Sequence, residues 1–300
     1  MPDPKLVQAA VLAAVPPVGA ALVFDLDPGC DPRPGLRAIR AEPSDGCVAL
    51  GLGAPLALVM DAKVEGLRGF PALSGKGVAF PSTQGALWVY VRGNERGAVL
   101  DRCLGIQRKL GTGWRLMEEV DAFRYREGRD LTGYEDGTEN PKDDAALEAA
   151  IVAHGGPGMV GGSFVAAQRY VHDLARFEAL EPPARDAIIG RRVSDNTEIE
   201  DAVATAHVKR SAQESFDPPA FMLRRSMPFG GVREHGLYFV AYVESLDRFE
   251  RVLRRMAGLE DGEVDGLLGV TRATSGGYYF CPPMSPKQGE GVDLRALGMM

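Results

Sequence analysis

Leu237-Tyr238-Phe239-Val240-Ala241-Tyr242-Val243 is apolar at every position, and Phe249, Val252, Leu253 and Met256 follow it at helical spacing before Gly258. Seven unbroken apolar residues predict a strand covered on both faces. The stripe over 246–257 predicts a helix lying on it. Tyr278–Phe280 closes the unit as a further short strand. The first half holds the same order: Leu87–Val91 is a strand apolar throughout, Val99, Cys103, Ile106 and Leu110 mark a helix over 97–110, and Trp114–Tyr125 is a closing strand.

Outward from these two units, Ala20–Leu26, Val48–Gly53, Ala57–Met60, Ser163–Val171 and Ala220–Leu223 read as strands, and 174–189 reads as a helix carrying Leu174, Phe177, Ile188 and Ile189. The second half therefore runs β-α-β-β-α-β, and the first is compatible with that order. This predicts an α+β protein of two ferredoxin-like domains with antiparallel sheets and peripheral helices, in a barrel-like arrangement. The polar run 126–132 sets the expected boundary, giving domains 1–128 and 129–300.

Composition narrows the function. The chain has 300 residues, 45% of them hydrophobic and 25% charged, which suits folded domains with a sizeable core. A net charge of −7 offers no basic surface for nucleic acid or anionic lipid. No apolar run reaches the roughly 20 residues of a membrane span. Lys5 is the only early cation and Pro16-Pro17 interrupts Val7–Val15, so no secretory signal is predicted and the cytoplasm is the expected compartment. Cys30, Cys47, Cys103 and Cys281 form no Cys-x-x-Cys pair and are read as reduced thiols. Gly156-Pro157-Gly158-Met159-Val160-Gly161 matches a dinucleotide pattern. A helix-like segment precedes it and a strand follows, the reverse of what phosphate binding at a helix N-terminus requires, so it is read as a helix-to-strand turn.

Three places remain. Gly133-Tyr134-Glu135-Asp136-Gly137-Thr138-Glu139-Asn140-Pro141 is an acidic, tightly turned loop. His207 lies in Ala206-His207-Val208-Lys209-Arg210, and Arg224 opens Arg224-Arg225-Ser226-Met227-Pro228-Phe229. Singly, each has a plain alternative: an Asp capping its own turn, a core or surface histidine, a solvated arginine.

Together they resemble the dye-decolourising (DyP-type) haem peroxidases, the bacterial cytoplasmic branch in particular. Gly133-Tyr134-Glu135-Asp136-Gly137 fits the Gly-x-x-Asp-Gly motif, His207 the haem-ligating histidine, and Leu223–Gly230 the segment with the distal arginine. Phe70-Pro71-Ala72-Leu73, Ser82-Thr83-Gln84, Leu87-Trp88 and Gly276-Gly277-Tyr278-Tyr279-Phe280 extend the likeness over nearly the whole chain.

The resemblance implies haem b (iron protoporphyrin IX), with His207 as the iron ligand and Asp265 holding its other ring nitrogen, although Asp265 also suits a plain helix-start acid. It implies Asp136 as proton shuttle and Arg224 as fixed cation, with Arg225 the rival. Ser226 is a further distal-pocket residue, and Arg191 a propionate partner or a surface arginine. The implied reaction reduces hydrogen peroxide through a high-valent iron-oxo state and oxidises small organic donors such as dyes and phenolics. Homo-oligomers are expected. Aspartic acids ordinarily titrate near 3.9, so such a shuttle predicts an acidic optimum. Trp88, Trp114 and the tyrosines are candidate electron relays by type. The alternative is a haem-handling protein, a carrier or iron-releasing factor, with incidental peroxidase activity.

Overall fold

The computed structural model describes residues 3–287 and 289–299. Its main strands are β1 (Val18–Leu26), β2 (Val48–Gly53), β3 (Leu87–Gly93), β4 (Trp114–Phe123), β5 (Ser163–His172), β6 (Met227–Gly230), β7 (His235–Val243) and β8 (Gly277–Cys281). Neighbours run β2-β3-β1-β4 in the first half and β8-β5-β7-β6 in the second. Each half is thus in the order 4-1-3-2 seen along its sheet, which is a ferredoxin-like unit. All pairings are antiparallel.

The halves close on each other. Strand β8 pairs with β2 through Tyr279↔Gly53 and Phe280↔Leu52, and β4 meets β6 at Ala122↔Phe229. Eight strands therefore form one closed barrel. Period-2 alternation divides its side chains. Ala21, Val23, Ala49, Trp88, Tyr90, Val120, Val165, Phe229, Tyr238, Tyr242 and Tyr279, drawn from all eight strands with Ala167 and Cys281, make one cluster inside the barrel. The alternate residues face outward under helices. The expectation for Leu237–Val243 is met: Tyr238, Val240 and Tyr242 enter the barrel core, while Ala241 and Val243 join the outer layer.

The helices are α1 (Arg33–Ile39), α2 (Arg96–Leu110), α3 (Asp143–Ala150), α4 (Leu174–Glu178), α5 (Pro182–Ile189), α6 (His207–Arg210) and α7 (Leu246–Met256). Three expectations need correction. Ala57–Met60 is not a strand: Ala54–Val59 is a short helix with Pro55 in its first turn, a position that tolerates the missing N–H. The single helix over 174–189 is two, because Pro182 and Pro183 cannot continue α4 and instead start α5. The strand over 220–223 is shifted to Leu223–Arg224, paired with Tyr242 and Ala241 of β7. The glycine pattern 156–161 lies between α3 and β5 and is a helix-to-strand turn. No described helix is long and apolar enough to cross a membrane.

Candidate functional site

Outside the barrel, β5 and β7 form one wall of a cavity and α7 forms another. Leu237 and Phe239 line it from β7, and Phe249, Val252, Leu253 and Met256 from α7. These are the outward strand positions and the helical stripe that the sequence singled out. The stripe covers the strand incompletely, so Leu237 and Phe239 stay partly exposed. Among so many apolar walls, the polar lining residues Asp136, His172, His207 and Arg224 stand out. Asp136, His207 and Arg224 also line an adjoining cavity, whose walls include Glu135, Glu139, Arg191 and Glu198.

His207 opens α6. Its Nδ1 lies 2.7 Å from Asp265 Oδ2, and Asp265 is 1% exposed. The other carboxylate oxygen accepts from Leu267 N at 2.9 Å. Asp265 therefore caps the turn Gly266–Gly269 and orients the imidazole at once, so the two readings of Asp265 are compatible. A carboxylate acceptor places the proton on Nδ1 and leaves the Nε2 lone pair available. His172, the other histidine on the cavity wall, has both nitrogens engaged, Nδ1 with Thr271 Oγ1 and Nε2 with Asp130 Oδ1. Of the two, His207 alone keeps a nitrogen for a ligand.

Asp136 Oδ1 faces Arg224 Nη1 at 3.9 Å. Gly133 and Gly137 hold φ of +92° and +79°, left-handed values that let the acidic loop turn back onto the cavity. A Cβ at Gly137 would come 2.7 Å from Asn140 Nδ2. Asn140 clamps Arg224 itself: its Oδ1 accepts from Arg224 N at 2.8 Å and its Nδ2 donates to Arg224 O at 3.0 Å. Arg224 Nε is buried without a partner among the described residues. Arg225 turns away, donating from Nε to Ala13 O and from Nη2 to Leu12 O. Burial also lowers its pKa.

Two expected residues are placed differently from the rest. Ser226 does not line either cavity: it is buried, with Oγ 3.4 Å from Val240 N on the neighbouring strand. Arg191 lies at the outer cavity, where Nη2 reaches Glu139 at 2.7 Å and Glu198 at 2.9 Å and Nη1 donates to Asn196 O. Trp88 and Trp114 are both buried, as are seven of the eight tyrosines, so neither tryptophan is a surface relay.

The family model "Dyp-type peroxidase, C-terminal" matches residues 127–286, more than half the chain. The chain belongs to the Dyp-type peroxidase family. It is 32% identical over 222 residues to the dye-decolorizing peroxidase of Mycobacterium tuberculosis, covering 72% of this chain and 66% of that one. It is 33% identical over 248 residues to that of Brevibacterium linens, covering 79% and 66%. The match thus spans just under two thirds of these curated relatives. Solved structures agree over greater lengths. The dye-decolorizing protein from V. cholerae superimposes with a TM-score of 0.84 at 27% identity, over 97% of this chain and 99% of the other. A variant of DypB from Rhodococcus jostii RHA1 in complex with heme gives 0.85 at 29% identity, over 91% and 95%.

Sequence reading missed Asn140, Asp130, His172 and Thr271. Asn140 stands inside the quoted loop, but an Asn-Pro pair signals only a turn. Nothing local in the sequence marks His172 as a cavity residue.

Proposed function

We propose that this chain is a haem peroxidase of the Dyp type, reducing hydrogen peroxide and oxidising small organic donors such as dyes and phenolics. The observation that carries the reading is His207 Nε2, without a partner among the described residues while Asp265 fixes Nδ1. The surroundings fit haem. The cavity continues past His207, Asp136 and Arg224 into the outer one. Its walls are apolar, and no described group of three or more His, Cys, Asp or Glu could hold a bare ion. A lone histidine suits a metal whose equatorial ligands come with the cofactor.

Bound haem would supply the redox chemistry, accepting oxidising equivalents from peroxide and returning them to donors one electron at a time. The rest falls to the chain. His207 binds through Nε2, and the ionised Asp265 beside Nδ1 raises its donor strength. Asp136 takes a proton from one peroxide oxygen and returns it to the other. Arg224 supplies a charge that does not titrate in this range, aimed at the hydroxide that develops. The Leu237, Phe239 and α7 walls exclude water. Arg191 at the outer cavity would hold a propionate by exchanging Glu139, which is exposed. Homo-oligomers in the cytoplasm remain part of the proposal.

The test begins with an absorbance spectrum. Haem-loaded protein should show a Soret band that His207→Ala abolishes. Stopped-flow mixing with one equivalent of peroxide should give a fast spectral change, slowed at least about 100-fold in Arg224→Leu or Asp136→Ala. Slow bleaching at the same rate in all three proteins would favour a haem carrier instead.

A further inference from the structure

His172 ends β5, its side chain is 5% exposed, and it lines the apolar cavity. Its Nε2 lies 3.0 Å from Asp130 Oδ1 and its Nδ1 2.7 Å from Thr271 Oγ1. The carboxylate that meets Nε2 is itself fully bonded. Asp130 Oδ2 accepts from Thr132 N at 2.8 Å and Thr132 Oγ1 at 2.6 Å. Burial pushes the Asp130 carboxyl up, but the bond and charge of His172 and the Thr132 bonds outweigh it and leave the pKa below the usual value. An ionised carboxylate only accepts, so Nε2 carries a proton. Thr271 Oγ1 stands 2.7 Å from Nδ1 and 3.2 Å from Val171 O. The ring is thus held on both sides, by a carboxylate at Nε2 and by a hydroxyl at Nδ1.

The two partners of this ring belong to different walls. Asp130 founds the acidic loop: its N–H donates to Tyr134 O at 2.8 Å and its carbonyl accepts from Gly133 N at 2.9 Å, just before Asp136. Thr271 ends the segment whose turn is capped by Asp265, the partner of His207. Asp173 N, next to His172, donates to Val270 O at 2.8 Å and fixes that segment from the same strand end. We propose that His172 is a positioning residue, a clamp joining the loop that carries Asp136 to the segment that carries Asp265. The other titratable groups on the cavity wall are Asp136, His207, Arg224 and Tyr170. None of these is bonded to the His172 ring.

The catalytic meaning of the clamp rests on the haem reading; the clamp itself does not, and it is measured on the full-length chain without cofactor. Thr271→Val removes the hydroxyl partner of Nδ1 and leaves Asp130 untouched. Hydrogen exchange followed by mass spectrometry should quicken roughly tenfold or more in residues 128–137 as well as 265–271, with β1–β3 unchanged. Thr271→Ser should restore slow exchange in both segments, and His172→Gln should repeat the loss. Quickening confined to 265–271, or quickening spread evenly over the barrel, would each overturn the proposal. Coupled exchange in a protein that takes up no haem would leave the clamp standing and sink the function instead.

Discussion

Asn140 shows how much can depend on one amide. It makes two hydrogen bonds to the main chain of Arg224, so it sets where that guanidinium stands relative to Asp136. Asn140→Ala should cost about 1–3 kcal/mol of unfolding free energy, the net worth of two such bonds. Turnover with peroxide should fall more than the stability change explains, because Arg224 loses its placement. Asn140→Asp keeps the acceptor for Arg224 N and loses the donor, so its defect should be intermediate; denaturant titration and kcat/KM give the two readouts. Asp265→Asn makes a separate prediction. The amide oxygen still accepts from His207 Nδ1, but the negative charge is gone. The ligand becomes less basic, and the reduction potential of bound haem should rise in a spectroelectrochemical titration.

At the scale of elements, the short helix α6 has little intrinsic stability and is held from outside. Arg210 grips Asp261 with two bonds, Nη1 to Oδ2 at 2.7 Å and Nη2 to Oδ1 at 2.8 Å. That pairing lowers the Asp261 pKa to about 2, against about 3.9 when unfolded. A lowered folded pKa means stability present above about pH 4 and lost as pH falls through about 2. Wild type should therefore melt above Asp261→Asn at pH 6, and the two should converge near pH 2. The difference should be small, since Asp261 is half exposed and water screens the pair. This element also marks the limit of sequence reading. Asp136, His207 and Arg224 were legible because a motif brought them together, and the cavity contains all three. His172 and Asp130 were not, since their meaning is a contact across 42 residues that no spacing announces. Ser226 shows the converse: it sits two residues from Arg224, yet its hydroxyl lies against Val240 N, away from the cavity.

For the molecule as a whole, the order β-α-β-β-α-β was legible in outline because the longer strands and the helices α2 and α7 carry their own period, whereas β6 and α1 were not read as elements. The barrel-like arrangement was expected too, but no period shows which strands close it. An apolar strand such as Leu237–Val243 says that both faces are covered, without saying that one cover is the interior shared by both halves. The seams are also thin: two register pairs join β8 to β2 and one joins β4 to β6. Side chains reinforce them. Gln84 in the first half accepts from Tyr278 N at 2.8 Å and donates to Tyr278 O at 2.8 Å in the second. Inside, Trp88 stacks on Tyr90 and on Tyr279, meets Tyr242 edge-on, and donates from Nε1 to Tyr238 Oη at 2.9 Å. Three of those four partners belong to the other half. Most of the Trp88 packing is therefore interface between units rather than core of its own unit, which makes the two units one cooperative body. Trp88→Ala should cost about 3–5 kcal/mol, and residues 1–128 and 129–300 should still melt together, with circular dichroism and hydrogen exchange reporting one midpoint. Two separated transitions, with the second half surviving the first, would mean that the barrel seams are dispensable to either unit.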